Sequence, residues 1–296
     1  MISKSILFSA LISLFTGLVS IEAAAASYGA KPVVDMPVSK IVDYNGVQQA
    51  VPDIKTITAE ENVSILAKLG TLPGFPENSF SGCHARAHFD YLQLSKVAAE
   101  KIYKVWLFSG SLLSPAVQGA VSYVDKNGNK ASWDYHVAVA FSDSQGGEWI
   151  IDRLIAPTPL KVTDWVSYFD IDGYAVLTRA NPEMYLFNKT NVPALDPVNF
   201  PNGFLNHFVP KNVFNGSFYT YSGDAANNHW GASDLAADAL SSALQQQKFP
   251  DCPWVDIASQ SLQLKAEIAK SPVSPGCKQA QRLFQNAFKT WITQGL

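Results

Sequence analysis

One thiol, one imidazole and one carboxylate stand in this sequence where local structure alone would aim them at each other. Cys83 follows Ser81-Gly82 and opens a run that favours helix to about Lys104. Positions 83, 87, 91, 94, 98 and 102 are Cys, Ala, Tyr, Leu, Ala and Ile. Steps of three or four predict an amphipathic helix with the thiol at the top of its buried stripe. With Ser81 or Gly82 as N-cap, the free N–H groups of the first turn point past the sulfur. The positive end of the helix dipole lowers the pKa of a thiol and favours thiolate, the nucleophilic form. A lone Cys on an apolar face is more often a small buried hydrophobe, so its companions decide the reading.

The companions lie on a strand pair. Ser132 to Phe141 reads as a strand with Trp133, Tyr135, Val137, Val139 and Phe141 on one face and Asp134, His136, Ala138 and Ala140 on the other. Ser144-Gln145-Gly146-Gly147 turns the chain back into Glu148 to Ile155, where Ile150, Asp152 and Leu154 share a face. His136 and Asp152 are equally far from Ser144. With an odd number of loop residues they fall opposite each other, on the same face of adjacent antiparallel strands. A carboxylate beside a histidine fixes its tautomer and stabilises the imidazolium. Added to a thiolate at a helix N-terminus, the pair makes a Cys83-His136-Asp152 constellation suited to nucleophilic acyl transfer.

The rest of the chain must carry and position these groups. Lys4, an apolar run from Ile6 to Ile21, and Glu22 followed by Ala23 to Ala26 read as a secretory signal peptide over residues 1–26. No later stretch approaches membrane-spanning length, so the expectation is an exported protein, periplasmic or secreted by a bacterium, with no membrane contact after cleavage. Lys and Arg number 22 against 25 Asp and Glu and are scattered, which argues against a nucleic-acid surface. Of the three Cys, Cys252 and Cys277 bracket a helical segment and could form a disulfide in an oxidising compartment, leaving Cys83 as the odd thiol. His84 and His88 at i and i+4 near Asp90 lack the Glu of a zinc helix motif, so no metal and no cofactor are expected, and Arg86 reads as scaffold paired with an acid.

In order, residues 27–74 form an extended arm with a turn at Asn45-Gly46, then a helix capped by Thr58-Ala59-Glu60-Glu61 and closed by Gly70. Residues 75–190 form the core, with further strands at Val105 to Phe108, Ala120 to Asp125 and Tyr174 to Leu177, a hairpin turn at Lys126 to Asn129, and a short helix at Thr163 to Phe169. Residues 191–296 form a largely helical C-terminal region after an irregular stretch reaching about Trp230. Its helices are expected at Ser233 to Lys248, Trp254 to Lys270 and Cys277 to Gln294.

Three words of this sequence, Gly82-Cys83-His84-Ala85-Arg86-Ala87-His88, Trp133-Asp134-Tyr135-His136-Val137-Ala138 and Ile151-Asp152, resemble the protein-glutaminase family in content and order. The resemblance covers about Phe75 to Leu160. It implies an α+β fold similar to a transglutaminase core, with a Cys-bearing helix packed on an antiparallel sheet that bears His and Asp. It implies deamidation of glutamine side chains in proteins, with Cys83 as nucleophile, His136 as acid and base, and Asp152 orienting the ring. Position 84 is His where the family has Tyr, so the rim of the site differs; Trp133, Tyr135 and His84 are candidate substrate-binding residues, with Trp106 and Trp149 as further groove candidates. The implied partner is a protein or peptide with an accessible glutamine, and a monomer is expected. The alternatives are a papain-like thiol protease, a transglutaminase should an amine outcompete water, and a non-enzymatic binding module with a structural thiol.

Overall fold

The computed structural model describes residues 31, 33–36, 54–75, 82–110, 120–180, 182, 184–187, 208–210, 230–258, 261–270, 272 and 274–294. The expected signal peptide, the Asn45-Gly46 turn, Ser81 and most of the stretch 181–230 lie outside the described residues.

The chain runs through β1 (Val33–Met36), β2 (Thr56–Ile57), α1 (Ala59–Leu69), α2 (Cys83–Ala98), β3 (Tyr103–Ser109), β4 (Val121–Val124) and β5 (Lys130–Trp133). It continues through β6 (Tyr135–Asp143), β7 (Glu148–Ile151), β8 (Leu160–Lys161), α3 (Val162–Ser167), β9 (Phe169–Ile171), β10 (Ala175–Ala180), β11 (Met184–Phe187) and β12 (Phe208–Pro210). Three helices close it: α4 (Trp230–Gln245), α5 (Ser261–Ile268) and α6 (Pro275–Thr293).

The main sheet has the order β1-β10-β3-β6-β7-β8, with β2 beside the far end of β6. Its inner pairings are antiparallel, while β1 on β10 and β2 on β6 are parallel, so the sheet is mixed. A small sheet, β5-β4-β9, stands beside it. The two faces of β3 and β6 are both buried. Trp106, Phe108, Val137, Val139 and Phe141 pack under α2, and Val105, Leu107, Ala138 and Ala140 pack with Trp165 and Phe169.

The expected single strand from Ser132 to Phe141 is interrupted. Asp134 breaks it, its carbonyl accepting from Ser109 N–H at 2.8 Å. Residues before the break pair with β4 and those after it with β3, in different sheets. The alternation that put Trp133 and Tyr135 on one face is therefore lost: Tyr135 packs beside Trp106 and Phe108, and Trp133 joins the opposite cluster.

Helix α2 also departs from expectation. It stops at Ala98 because Ala99 turns to φ 34°, and Tyr103 to Ser109 is a fully buried strand rather than helix end. Nor is α2 amphipathic in the expected sense. Cys83, Ala87, Leu94 and Ala98 face the sheet, while Ala85 and Phe89 pack on Ala232 and Leu235 of α4 and Trp291 of α6. Phe89 meets Trp291 edge to face at 5.2 Å, and burying such a side chain is worth about 1.5–3 kcal/mol. The polar residues between them are tolerated inside because each finds a partner: Arg86 with Asp238, His88 with Lys104, Asp90 with Arg153, and Gln93 with the Gln294 carbonyl.

The N-terminal capping box forms as expected, with Thr58 and Glu61 exchanging hydrogen bonds at 3.2 and 2.7 Å. The disulfide Cys252–Cys277 is present and ties the 3₁₀ turn Pro253–Ile257 to the start of α6. The helix expected from Trp254 to Lys270 is divided into that 3₁₀ turn and the shorter α5. No helix of the described residues is long and apolar enough to cross a membrane.

Candidate active site

The sulfur is placed by a glycine. Gly82 is the N-cap of α2 at φ 71°, a left-handed conformation that costs a side-chain-bearing residue about 1–2 kcal/mol. Its carbonyl accepts from the N–H groups of Ala85 and Arg86, both at 3.0 Å. The N–H groups of Cys83 and His84 lie ahead of that ladder, as first-turn donors of a helix do. Cys83 is a free, buried thiol.

His136 sits near the start of β6, and the registry that brings Asp152 to it differs from the expected one. The pairing runs Val139 to Ile151, Ala140 to Ile150 and Ser142 to Glu148. Asp152 is thereby level with Ala138, two residues from His136, because the turn closes between Asp143 and Gly147 rather than symmetrically about Ser144. The loop still holds an odd number of residues, so the two side chains share a face and meet diagonally. Asp143 fixes this turn by accepting from the Gln145 and Gly147 N–H groups at 2.8 and 2.7 Å. β7 ends at Ile151, and Asp152 begins a turn in which its own Oδ1 accepts from Leu154 N–H at 3.2 Å.

His136 Nε2 lies 2.7 Å from Asp152 Oδ2, both side chains being buried. The same carboxylate oxygen accepts from Trp165 Nε1 at 2.9 Å. Nε2 being occupied by Asp152, Nδ1 is the nitrogen left for the thiol, and among the described residues it has no hydrogen-bond partner. The ring is boxed by Trp133 at 4.8 Å, Phe169 at 5.3 Å and Trp165 at 5.9 Å between centroids. Arg153, next to Asp152, donates to Asp90 of α2 at 2.5 Å and to the Pro73 carbonyl at 2.6 Å, and lies 4.2 Å over the Phe75 ring. The end of β7 is thus clamped to the Cys83 helix.

A second imidazole borders the sulfur. His84 hydrogen-bonds the Cys83 thiol on one side and reaches Asp234 Oδ2 of α4 at 3.0 Å with Nε2. Lys265 of α5 donates to the other oxygen of Asp234 at 2.5 Å. One turn along α4, Asp238 accepts from Arg86 Nη1 at 2.6 Å.

Charge follows this geometry. Burial alone would raise the Cys83 pKa, but the neighbouring His136 and His84 rings outweigh it and hold the thiol down at about 6. Burial alone would strip the proton from His136, but Asp152 and the thiolate outweigh it and raise the ring to about 9. His84 is raised to about 9 against its own burial by Asp234 and the thiolate. All three shifts favour a thiolate flanked by two imidazolium rings.

The structure brings together Cys83, His136, Asp152 and His84, with Trp133 stacked on His136. Tyr135 lies in the packed layer under α2, Trp106 is fully buried, and Trp149 donates to Asp143 at the hairpin turn. A cleft of about 750 Å³ between α4 and α6, lined by Ser242, Gln246, Arg282, Asn286 and Thr290 among others, includes none of these groups. Sequence reasoning missed Trp165, Asp234 and Lys265. A weak signal for Asp234 was available: two acids at i and i+4 in the Ala- and Leu-rich α4 require buried partners.

A model of a family described as glutaminase matches residues 75–169 of this chain. That segment holds Cys83, His136, Asp152 and Trp165, and it ends before α4. No curated protein matches the sequence. Two solved structures are similar. One is a crystal structure of protein-glutaminase, at 16% identity over 44% of this chain and 72% of that chain, with a TM-score of 0.31. The other is the NMR structure of protein-glutaminase from Chryseobacterium proteolyticum, at 18% identity over 46% and 77%, with a TM-score of 0.32.

Proposed function

We propose that this protein, whose residues 75–169 form a glutaminase-family segment, deamidates glutamine side chains of proteins or peptides to glutamate, with release of ammonia through a Cys83 thioester. The observation that carries the reading is the free Cys83 thiol at a helix N-terminus, coupled to an imidazole held by a buried carboxylate, inside that segment. The Cys83 thiolate attacks the carboxamide carbon, forming a C–S bond as the carbonyl electron pair moves to oxygen. The Cys83 N–H at the helix start is a donor for that oxyanion. Collapse breaks the C–N bond, and the proton on His136 leaves with the nitrogen as ammonia. His136, now neutral, takes a proton from water, hydroxide opens the thioester, and glutamate departs with the thiolate restored. Asp152 keeps Nε2 protonated, so that Nδ1 is the nitrogen that gives and takes the proton. Trp133 and His84 border the reacting groups and are the substrate contacts this reading favours.

The setting proposed is a bacterial periplasm or the medium, with a cleaved leader at 1–26 and a monomeric enzyme. The Cys252–Cys277 disulfide is compatible with an oxidising compartment.

The test is ammonia release from unfolded casein by wild type and Cys83→Ala, with intact-mass analysis of both. Ammonia from wild type alone, with substrate mass rising by one unit per site and no new fragments, supports the deamidase. Fragments without ammonia would identify a protease, and cross-linked products a transglutaminase. A wild-type enzyme inert in all three respects would sink the reading.

A further inference from the structure

Asp234 and Lys265 come from helices outside the matched segment, yet they converge on the residue beside the nucleophile. We infer that His84, anchored by the C-terminal region through Asp234 and Lys265, is a second catalytic residue: a fixed cationic donor that holds the Cys83 thiolate in the resting enzyme and the oxyanion during reaction. The inference rests on the deamidase reading for its second half only.

The geometry gives three reasons. First, His84 stands beside the reacting atom: it follows Cys83 in the first turn of α2, its ring interacts with the Cys83 thiol, and its Nε2 is held 3.0 Å from Asp234. Second, the support is buried. Asp234 and Lys265 are 5% and 1% exposed, and their contact spans from α4 to α5 at 2.5 Å. Third, the charges add up. His84 and Lys265 as cations with Asp234 as anion carry one net positive charge, which complements one negative charge on sulfur or on oxygen. The His136–Asp152 pair is neutral while its imidazolium keeps the proton.

The same bookkeeping holds through the reaction. When the thiolate attacks, its negative charge passes to the carbonyl oxygen, and the His84 cluster still balances it. When the C–N bond breaks, the proton on the departing ammonia comes from His136, and His84 keeps its own. A donor that never releases its proton costs no reorganisation at the moment of reaction. His84 thereby supplies a second oxyanion donor beside the Cys83 N–H.

Cys83 and Asp234 act on His84 directly, and the titratable and charged groups on the elements packed around it are Arg86 of α2, His136 of β6 with Asp152 behind it, Asp238 of α4 and Lys265 of α5. A pH experiment therefore needs a reading on the sulfur itself. The first experiment is the rate of Cys83 alkylation by iodoacetamide between pH 4 and 9 in wild type and His84→Gln, beside ammonia release from casein. The expected result in His84→Gln is an alkylation midpoint raised by about one pH unit or more, and kcat lowered about 10²–10³-fold with KM within about threefold. A folded His84→Gln with unchanged midpoint and kcat within about threefold overturns the inference. Should the variant fail to fold, the wild-type chain decides. Its His84 ring, assigned by backbone connectivity in a ¹⁵N-histidine sample, is expected to be fully protonated at pH 7.5, and a neutral ring there overturns the inference. Wild type that alkylates as expected but releases no ammonia would fail the deamidase reading without touching the thiolate role of His84.

Discussion

His136 and His84 border the same sulfur, one from the sheet and one from the helix, and their surroundings differ in kind. Behind His136 stands Asp152, whose other hydrogen-bond donors are neutral, Trp165 Nε1 and the Leu154 N–H, with the Arg86 charge acting only through space, within a box of aromatic rings. Behind His84 stands Asp234, whose second oxygen holds the ammonium of Lys265. In the first arrangement, loss of the ring proton would leave a carboxylate charge with no cation hydrogen-bonded to it, as the proposed deamidation requires. The second arrangement stays cationic. One pair is suited to move a proton, and the other to hold a charge still. Two His–Asp contacts of similar length can thus serve different ends, and the third group in each decides which.

The sharpest way to break this comparison is to remove the proposed proton carrier. His136→Gln should lower kcat/KM for ammonia release about 10²–10⁴-fold with little change in folding. If the folded variant stayed within tenfold of wild type, the proton would be moving through His84.

The two carboxylates should separate next. Asp152→Asn leaves a neutral amide in a site built for a tautomer-fixing acceptor, so kcat should fall about 100-fold or more while stability is nearly kept. Asp234→Asn leaves two buried cations, His84 and Lys265, facing each other without their anion, and should cost about 3–5 kcal/mol of stability. Urea melts of both variants would read this, and equal melts would mean that the surroundings of the two pairs are equivalent after all.

The pH profile sharpens the roles further. With the thiol held at about 6, activity should fall about tenfold per unit as pH drops below that value and the sulfur is reprotonated. With His136 raised to about 9, activity should fall again above it, as the acid loses the proton it donates. The two limbs belong to the coupled sulfur–imidazole system rather than to either group alone. A rate of ammonia release still rising through pH 10 would exclude His136 as the acid.

Trp165→Phe is the mildest change. It deletes one of the hydrogen bonds to Asp152, worth about 1 kcal/mol, and should lower kcat a few-fold with the upper pH limb shifted down. An unchanged limb would show that the indole does not help to hold the carboxylate ionised.

Much of the site was legible because its parts are local. The thiol at the start of α2 follows from a glycine before a helical run, and the side on which His136 and Asp152 meet follows from parity across one short turn. Parity survived a two-residue error in register because both registers keep the side chains on one face. The break at Asp134 was illegible, since residues 130–143 alternate well enough to read as one strand and only the pairing with two different sheets divides them. The end of α2 was misplaced for a related reason: Ile102 continues the spacing of the helix stripe, yet the buried, two-sided pairing of β3 claims the chain from Tyr103.

By itself, then, the sequence determined the groups that meet at short range: the thiol on its helix, the His and Asp on their hairpin, and the cysteine pair that closes the C-terminal helices. Each depends on turn chemistry or periodicity within some tens of residues. Only the tertiary structure decided that Trp133 lies on His136, that Trp165 supports Asp152, and that Asp234 and Lys265 stand behind His84. The last of these contacts joins positions 150 residues apart. Nothing in a local pattern records such a meeting, because it is made by packing α2 between the sheet and the C-terminal helices.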